Sequence, residues 1–171
     1  MVVWGGRGPR QLARQLTHLS SRRCRPSYSR TMGISCPFCE VAERRTPAHV
    51  VTEGALSLVF LDLHPVADGH CLIIPRRHVP TLSDLLPEEG AEMFALATRV
   101  AGVIRRTLAP AVNLHLSDGV EAEQDVPHIH LHVIPRHRDD QVSIHLPPSS
   151  TSTSPEATVT ALRIGMHLQS S

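Results

Sequence analysis

The stretch Gln124-Asp-Val-Pro-His-Ile-His-Leu-His-Val-Ile-Pro-Arg136 decides how the chain folds. From His128 to Val133, histidine and aliphatic residues alternate, which is the period of a half-buried strand. Ile129, Leu131 and Val133 then face one way, and His128, His130 and His132 the other. Burying the three aliphatics is worth roughly 1.5–3 kcal/mol each, and a register slip of one residue would drive three imidazoles into the core. The aliphatic face is therefore core, and the histidines line a common surface with Cα atoms about 6.6 Å apart. Imidazole packs no better on a strand than Thr or Val, so three in register point to chemistry. The residues themselves leave three roles open: metal ligands, since His-x-His on a strand suits zinc; an acid/base and nucleophile set; or a solvated polar face.

Other motifs narrow the choice. His128-Ile-His-Leu-His-Val-Ile134 resembles the His-φ-His-φ-His-φ-φ signature of the histidine triad family of nucleotide hydrolases and transferases. Cys36-Pro-Phe-Cys39, Phe60-Leu-Asp62, Gly69-His-Cys-Leu-Ile-Ile-Pro-Arg-Arg-His78 and Gln124 fall in that family's order and spacing, so the resemblance runs from Ser35 to His137. It implies an α+β fold, an antiparallel sheet with one long helix packed on it, continuous across a homodimer. It implies a purine nucleotide substrate, either an adenosine monophosphoramidate or a dinucleoside polyphosphate. His130 becomes the nucleophile and forms a covalent nucleotidyl-imidazole. His132 binds phosphate oxygens or protonates the leaving group, His128 orients its neighbours, and Gln124 meets the α-phosphate or the scissile bridge. Asp62 is assigned to ribose hydroxyls, His70 to support of the site and Ser117 to a phosphate contact. The Cys-x-x-Cys branch of the family adds a structural zinc, closed by Cys36, Cys39, His78 and His128, and no organic cofactor.

The chemistry suits the residue. Attack on a phosphorus guarded by anionic oxygens needs a nucleophile that is neutral at working pH, and imidazole, with an unperturbed pKa of about 6.5, meets that need. Two positions depart from the family pattern: Ser117 stands where relatives carry Asn, and Glu123 replaces the Gly before Gln124. These departures keep a binding protein with little turnover in view. A metal-dependent hydrolase using His128 and His130 is a further alternative, and Cys-Pro-Phe-Cys alone also fits a redox pair.

Composition removes other classes. The chain contains no lysine, which excludes Schiff-base and lysyl-adenylate chemistry and a Walker lysine. Residues 1–31 hold seven arginines and no acid, leaving ten arginines against sixteen acids, a net −6, for residues 32–171. An acidic body predicts no nucleic-acid partner. No apolar run reaches about 18 residues, so no membrane span is expected. Cys24 and Cys71 lack evident partners, which fits a reducing compartment.

Residues 1–31, with Leu12, Leu16 and Leu19 at helical spacing among arginines, read as an extension outside the fold. It has the composition of a mitochondrial transit peptide, or else lies upstream of a working start at Met32. The expected location is accordingly cytoplasmic, or mitochondrial if that segment is a transit peptide. The catalytic domain is expected over 32–146, and a Ser/Thr/Pro-rich tail with a short helix near Thr158–Leu168 over 147–171. Within the domain, strands are expected at Leu56–Leu63, His70–Pro75 and Asn113–Ser117, the last an antiparallel neighbour of the histidine strand. A helix over Pro87–Leu108 buries Met93, Ala97, Val100, Ile104 and Leu108, with Glu88 and Glu89 at its positive end.

Overall fold

The computed structural model describes residues 36–142 and 155–169. The extension 1–31, with its basic helix and Cys24, and the linker 147–154 lie outside the described residues. Strands β1 (Val50–Glu53), β2 (Ser57–Leu61), β3 (Cys71–Pro75), β4 (Ala111–His115) and β5 (Leu131–Arg136) form one antiparallel sheet in the order β1-β2-β3-β5-β4. Helix α1 (Pro37–Ala42) precedes the sheet, and α2 (Pro87–Thr107) connects β3 to β4. This is the α+β arrangement expected from the sequence. A second unit, Gln141–Ser171, carries α3 (Pro155–Leu168), on which Val159, Leu162 and Met166 are exposed. No described helix is long and apolar enough to cross a membrane.

The sheet is buried on both faces at its centre, which is why β3 reads as a continuous apolar run and is buried from end to end. Val59, Ile73, Ile129, Leu131 and Val133 pack with Met93, Ala97, Val100 and Ile104 of α2. Leu58, Phe60, Leu72 and Ile74 point to the opposite face, where Phe38 and Val41 of α1 cover them. The buried stripe of α2 runs as expected through Ile104 and gains Leu96. Leu108 falls past the last helical turn and is 47% exposed. It lies instead over Gly69, where a Cβ would come within 2.7 Å of its Cδ1 and φ is +80°, so only glycine fits that turn.

The N-terminus of α2 carries more than dipole complementarity. Glu89 is 4% exposed; its Oε2 accepts the Leu86 N–H at 3.0 Å, and its carboxylate takes two bonds from Arg77 at 3.0 and 2.7 Å. One turn on, Glu92 accepts the N–H groups of Ala55 and Leu56 at 2.9 and 2.8 Å, tying the β1–β2 turn to the helix.

The ladders are shorter than the apolar patterns or shifted along them. β2, β3 and β4 occupy Ser57–Leu61, Cys71–Pro75 and Ala111–His115 rather than 56–63, 70–75 and 113–117. β5 begins at Leu131 and not at His128. Residues 128–130 run alongside no strand, and the Ile129 N–H donates instead to Val79 O at 2.6 Å. The alternation nonetheless persists through this unpaired segment, because Ile129, Leu131 and Val133 all enter the core under α2. Pro135 is tolerated within β5 because pairing with β3 ends at Val133, leaving no acceptor there for the N–H that proline lacks.

The loop from β4 to β5 is tight. Gly119 sits at φ +96° and Glu123 at φ +62°, in the left-handed region that glycine favours. A glutamate there is strained by about 1 kcal/mol. Glu123→Gly is therefore expected to raise the free energy of unfolding by about 1 kcal/mol in urea titration. An unchanged or lower midpoint would show that the loop relaxes the strain elsewhere.

Candidate functional site

The alternation on β5 and the segment before it delivers His128, His130 and His132 to the α1 face of the sheet. There the structure sorts them into two clusters. The first is built on His128, which is fully buried. Its Nε2 donates to the Pro75 carbonyl at 3.0 Å, so the proton is on Nε2 and the Nδ1 lone pair is free to face the two thiols. His128 Nδ1 lies 3.4 Å from Cys36 Sγ and 3.7 Å from Cys39 Sγ, and His78 Nδ1 lies 3.3 Å from Cys39 Sγ. Tetrahedral zinc with Zn–S of about 2.3 Å and Zn–N of about 2.05 Å requires S···N edges of about 3.6 Å, which these distances match. The four residues could therefore hold a metal ion. Pro37 starts a helix at once after Cys36, and the first turn of α1 returns Cys39 to the same point. The Cys36 thiol is pushed down to about 3, chiefly by its hydrogen bond with Cys39, which favours the thiolate form that binds a cation.

The second cluster is built on His130 and His132. His130 Nδ1 is 2.8 Å from the His128 carbonyl oxygen; a carbonyl only accepts, so Nδ1 carries the proton and Nε2 keeps its lone pair. Burial lowers the pKa of His130, which keeps the ring neutral. Phe38 presses on it edge-on, with ring centroids 5.0 Å apart. His132 Nδ1 lies 2.9 Å from His70 Nε2. The Val66 N–H points at His70 Nδ1 at 3.4 Å, which makes that nitrogen an acceptor and puts the His70 proton on Nε2. His70 then donates to His132, whose own proton sits on Nε2. Asp62 Oδ2, 3.4 Å from His70 Nδ1, is placed to hold a second proton there when His70 is charged, while Asp62 Oδ1 accepts the His64 N–H at 2.9 Å. The donor atoms of Asp62, His70 and His132 are also close enough for a metal ion, but the 2.9 Å contact already occupies the facing nitrogens of both rings.

The sequence-predicted residues thus divide. His70, Asp62, His130 and His132 converge, and Cys36, Cys39, His78 and His128 converge beside them. His128 and His130 aim their nitrogens at different partners and share no ligand position, which speaks against a His-x-His metal hydrolase. The Gln124 amide is engaged at both ends, accepting the Gly119 N–H at 2.8 Å and donating to Pro80 O at 3.0 Å, so it braces the loop. Ser117 Oγ meets His115 Nε2 at 3.3 Å. Phe38 and His115, which lies 5.8 Å from His132 by ring centroids, were missed by sequence reasoning. The alternation over 113–117 was a usable signal for His115, since it puts that residue on the histidine face. An apolar groove of about 360 Å³ between α2 and the sheet, lined in part by Val51, Leu61, Val103 and Leu108, holds no histidine or carboxylate and opens on the α2 face, opposite this chemistry.

A five-stranded antiparallel sheet under one long helix, carrying buried imidazoles beside a Cys2His2 cluster, defines a histidine triad protein. The chain belongs to the HIT domain family, whose profile matches residues 43–139. It is 39% identical over 112 residues to an uncharacterized HIT-like protein of Mycobacterium tuberculosis, covering 65% of this chain and 78% of that one. It is 45% identical over 86 residues to the asymmetrical bis(5′-nucleosyl)-tetraphosphatase of Schizosaccharomyces pombe, covering 50% of this chain and 47% of that protein. Among solved structures, it resembles a Zn-bound histidine triad family protein of Mycobacterium smegmatis with a TM-score of 0.61 and 33% identity, over 78% of this chain and 97% of the other.

Burial makes a pH dependence. The pKa of His132 is lowered from 6.5 to about 4, by burial first and then by the neighbouring His130 and His70. Between these values the unfolded chain binds the proton and the folded one does not. This contribution to stability is therefore intact above about pH 6.5 and is lost as pH falls toward 4. His132→Gln is expected to show a shallower loss of stability than wild type over that interval in denaturant titrations; parallel curves would remove His132 as the source.

Proposed function

We propose that the protein is a nucleotidyl hydrolase or transferase that acts at the α-phosphate of a purine nucleotide through a covalent intermediate on His130. The observation that carries this reading is the 2.8 Å bond from His130 Nδ1–H to the His128 carbonyl, which leaves a neutral ring with its lone pair on Nε2. The named activity of the fission yeast relative, a bis(5′-nucleosyl)-tetraphosphatase, supports the substrate class.

In the first step the Nε2 lone pair forms a bond to the α-phosphorus, and the bond to the leaving group breaks with its electron pair going to the departing oxygen or nitrogen. A departing amine takes the proton on His132 Nε2; a departing phosphate chain is stable as an anion and needs none. In the second step water attacks phosphorus and the P–N bond returns its pair to His130; the proton of water restores His132 Nε2 where an amine has taken its proton, and stays on the phosphate of the product nucleotide where a phosphate chain has left with His132 still protonated. The His70–Asp62 pair behind His132 holds its ring and buffers the proton exchanged there. Asp62 and Ser117 are assigned to ribose and phosphate. Gln124 reaches phosphate only by trading one of its two backbone bonds.

Cys36, Cys39, His78 and His128 would hold a structural zinc, whose part is to fix His128 in place. Because the His128 carbonyl receives the His130 proton, anchoring that residue orients the nucleophile without any step passing through the metal. A homodimer and a cytoplasmic location, or a mitochondrial one if residues 1–31 are a transit peptide, complete the proposal; Cys36, Cys39 and Cys71 form no disulfide among the described residues, which fits a reducing compartment.

Incubation with α-labelled adenosine phosphoramidate, followed by acid-sparing quench and peptide mapping, is expected to place label on His130 in wild type and none in His130→Ala. The variant should lose more than about a thousandfold in kcat/KM. Turnover without label, abolished by chelator, would indicate a metal-dependent hydrolase; neither label nor turnover would indicate a binding protein. Cys36→Ala is expected to lower the melting temperature by about 5 °C or more while kcat of the folded fraction changes less than about threefold. Equal melting temperatures would exclude a structural zinc.

A further inference from the structure

His115 is an imidazole of the site for which the mechanism above has no use. It is the last residue of β4, directly opposite His132 in the β4–β5 register, with ring centroids 5.8 Å apart. Unlike His70 and His130, which are buried, it is exposed, and its Nε2 lies 3.3 Å from Ser117 Oγ. The strand order sets the groups in a line across one face: Asp62 just past the end of β2, His70 just before β3, His132 on β5 and His115 on β4. With ribose held at Asp62 and the α-phosphate at His130 and His132, whatever follows the α-phosphate has to extend past His132 on the side away from Asp62. The side chains at that end are His115 and Ser117.

Their chemistry suits a phosphate chain. The protein contains no lysine to meet one, and Arg136, the arginine on β5, is engaged by Asp140 and Asn113, so neutral N–H and O–H donors serve at this edge. The mutual contact of His115 and Ser117, at 3.3 Å and open to solvent, is weak enough to be exchanged for bonds to a ligand. We propose that His115 and Ser117 form a subsite for the β-phosphate of nucleotides, so that this chain favours substrates whose leaving group is a phosphate chain. This rests on the reading of His130 and Asp62 given above. His115 here is a binding residue that touches the leaving group, and it discriminates between substrates that share the same nucleoside and α-phosphate.

Equilibrium binding of AMP and of α,β-methylene-ADP, whose bridging carbon cannot be cleaved, tests the subsite apart from turnover. Wild type is expected to bind α,β-methylene-ADP about tenfold more tightly than AMP, the effect of roughly one hydrogen bond to a charged group. His115→Ala should bind the two equally within about twofold, and His115→Gln, which restores a donor at an exposed position, should recover part of the preference. A preference that survives in His115→Ala, or no preference in wild type, overturns the subsite. A wild type that binds neither nucleotide overturns both this inference and the nucleotide reading beneath it. Absence of label on His130 with the binding ratio intact overturns the covalent step alone.

Discussion

Burial of Ile129, Leu131 and Val133 beneath α2 is the constraint on which the site depends. A strand has only two faces, so committing three aliphatics to one core commits the intervening histidines to the other. That second face is also covered at its centre, by Phe38 and Val41 of α1 over Leu72 and Phe60. The imidazoles are consequently not a surface row. His128 and His130 are buried and His132 is half-buried, and desolvation holds His130 and His132 neutral. The same packing that fixes register thus sets protonation.

One peptide unit joins the two clusters. The His128 side chain faces Cys36 and Cys39, and its carbonyl receives the His130 proton. The two clusters are therefore a single residue of backbone apart, with Phe38 bridging the same gap through space, edge-on to both rings. The backbone between the two rings is also held by the bond from the Ile129 N–H to Val79 O, so loss of one cysteine weakens the fold more than it turns His130.

Much of this was legible because it depends on period and order. The two-residue alternation from His128, the unbroken apolar run of β3 and the four-residue stripe of α2 are direct images of burial, and the Cys-x-x-Cys spacing is an image of one helical turn. What was not legible depends on contacts between distant segments. β1 is exposed along most of its length and carries no alternation to find. β5 starts at Leu131 opposite Ile73, two residues short of the end of β3 at Pro75, which no local pattern encodes. Gln124 carries the composition of a phosphate contact, yet its amide is claimed by Gly119 and Pro80, forty-four residues away in the latter case. Glu123 stands where the family pattern has Gly, and the backbone gives the physical reason for that pattern, a φ of +62°. His115 was overlooked because the eye stops at the motif, although the register of β4 puts it beside the row.

Helix α1 has six residues, too few to persist in water by hydrogen bonding alone. Its order is borrowed from Phe38 against Phe60 and from the cysteines against the imidazoles of 78 and 128. Such a turn acts as a gauge of assembly: amide protons there exchange slowly with solvent only while the surrounding pieces are seated, so the protection of Cys39 and Glu40 reports, from the very edge of the domain, whether the histidines behind it are properly set.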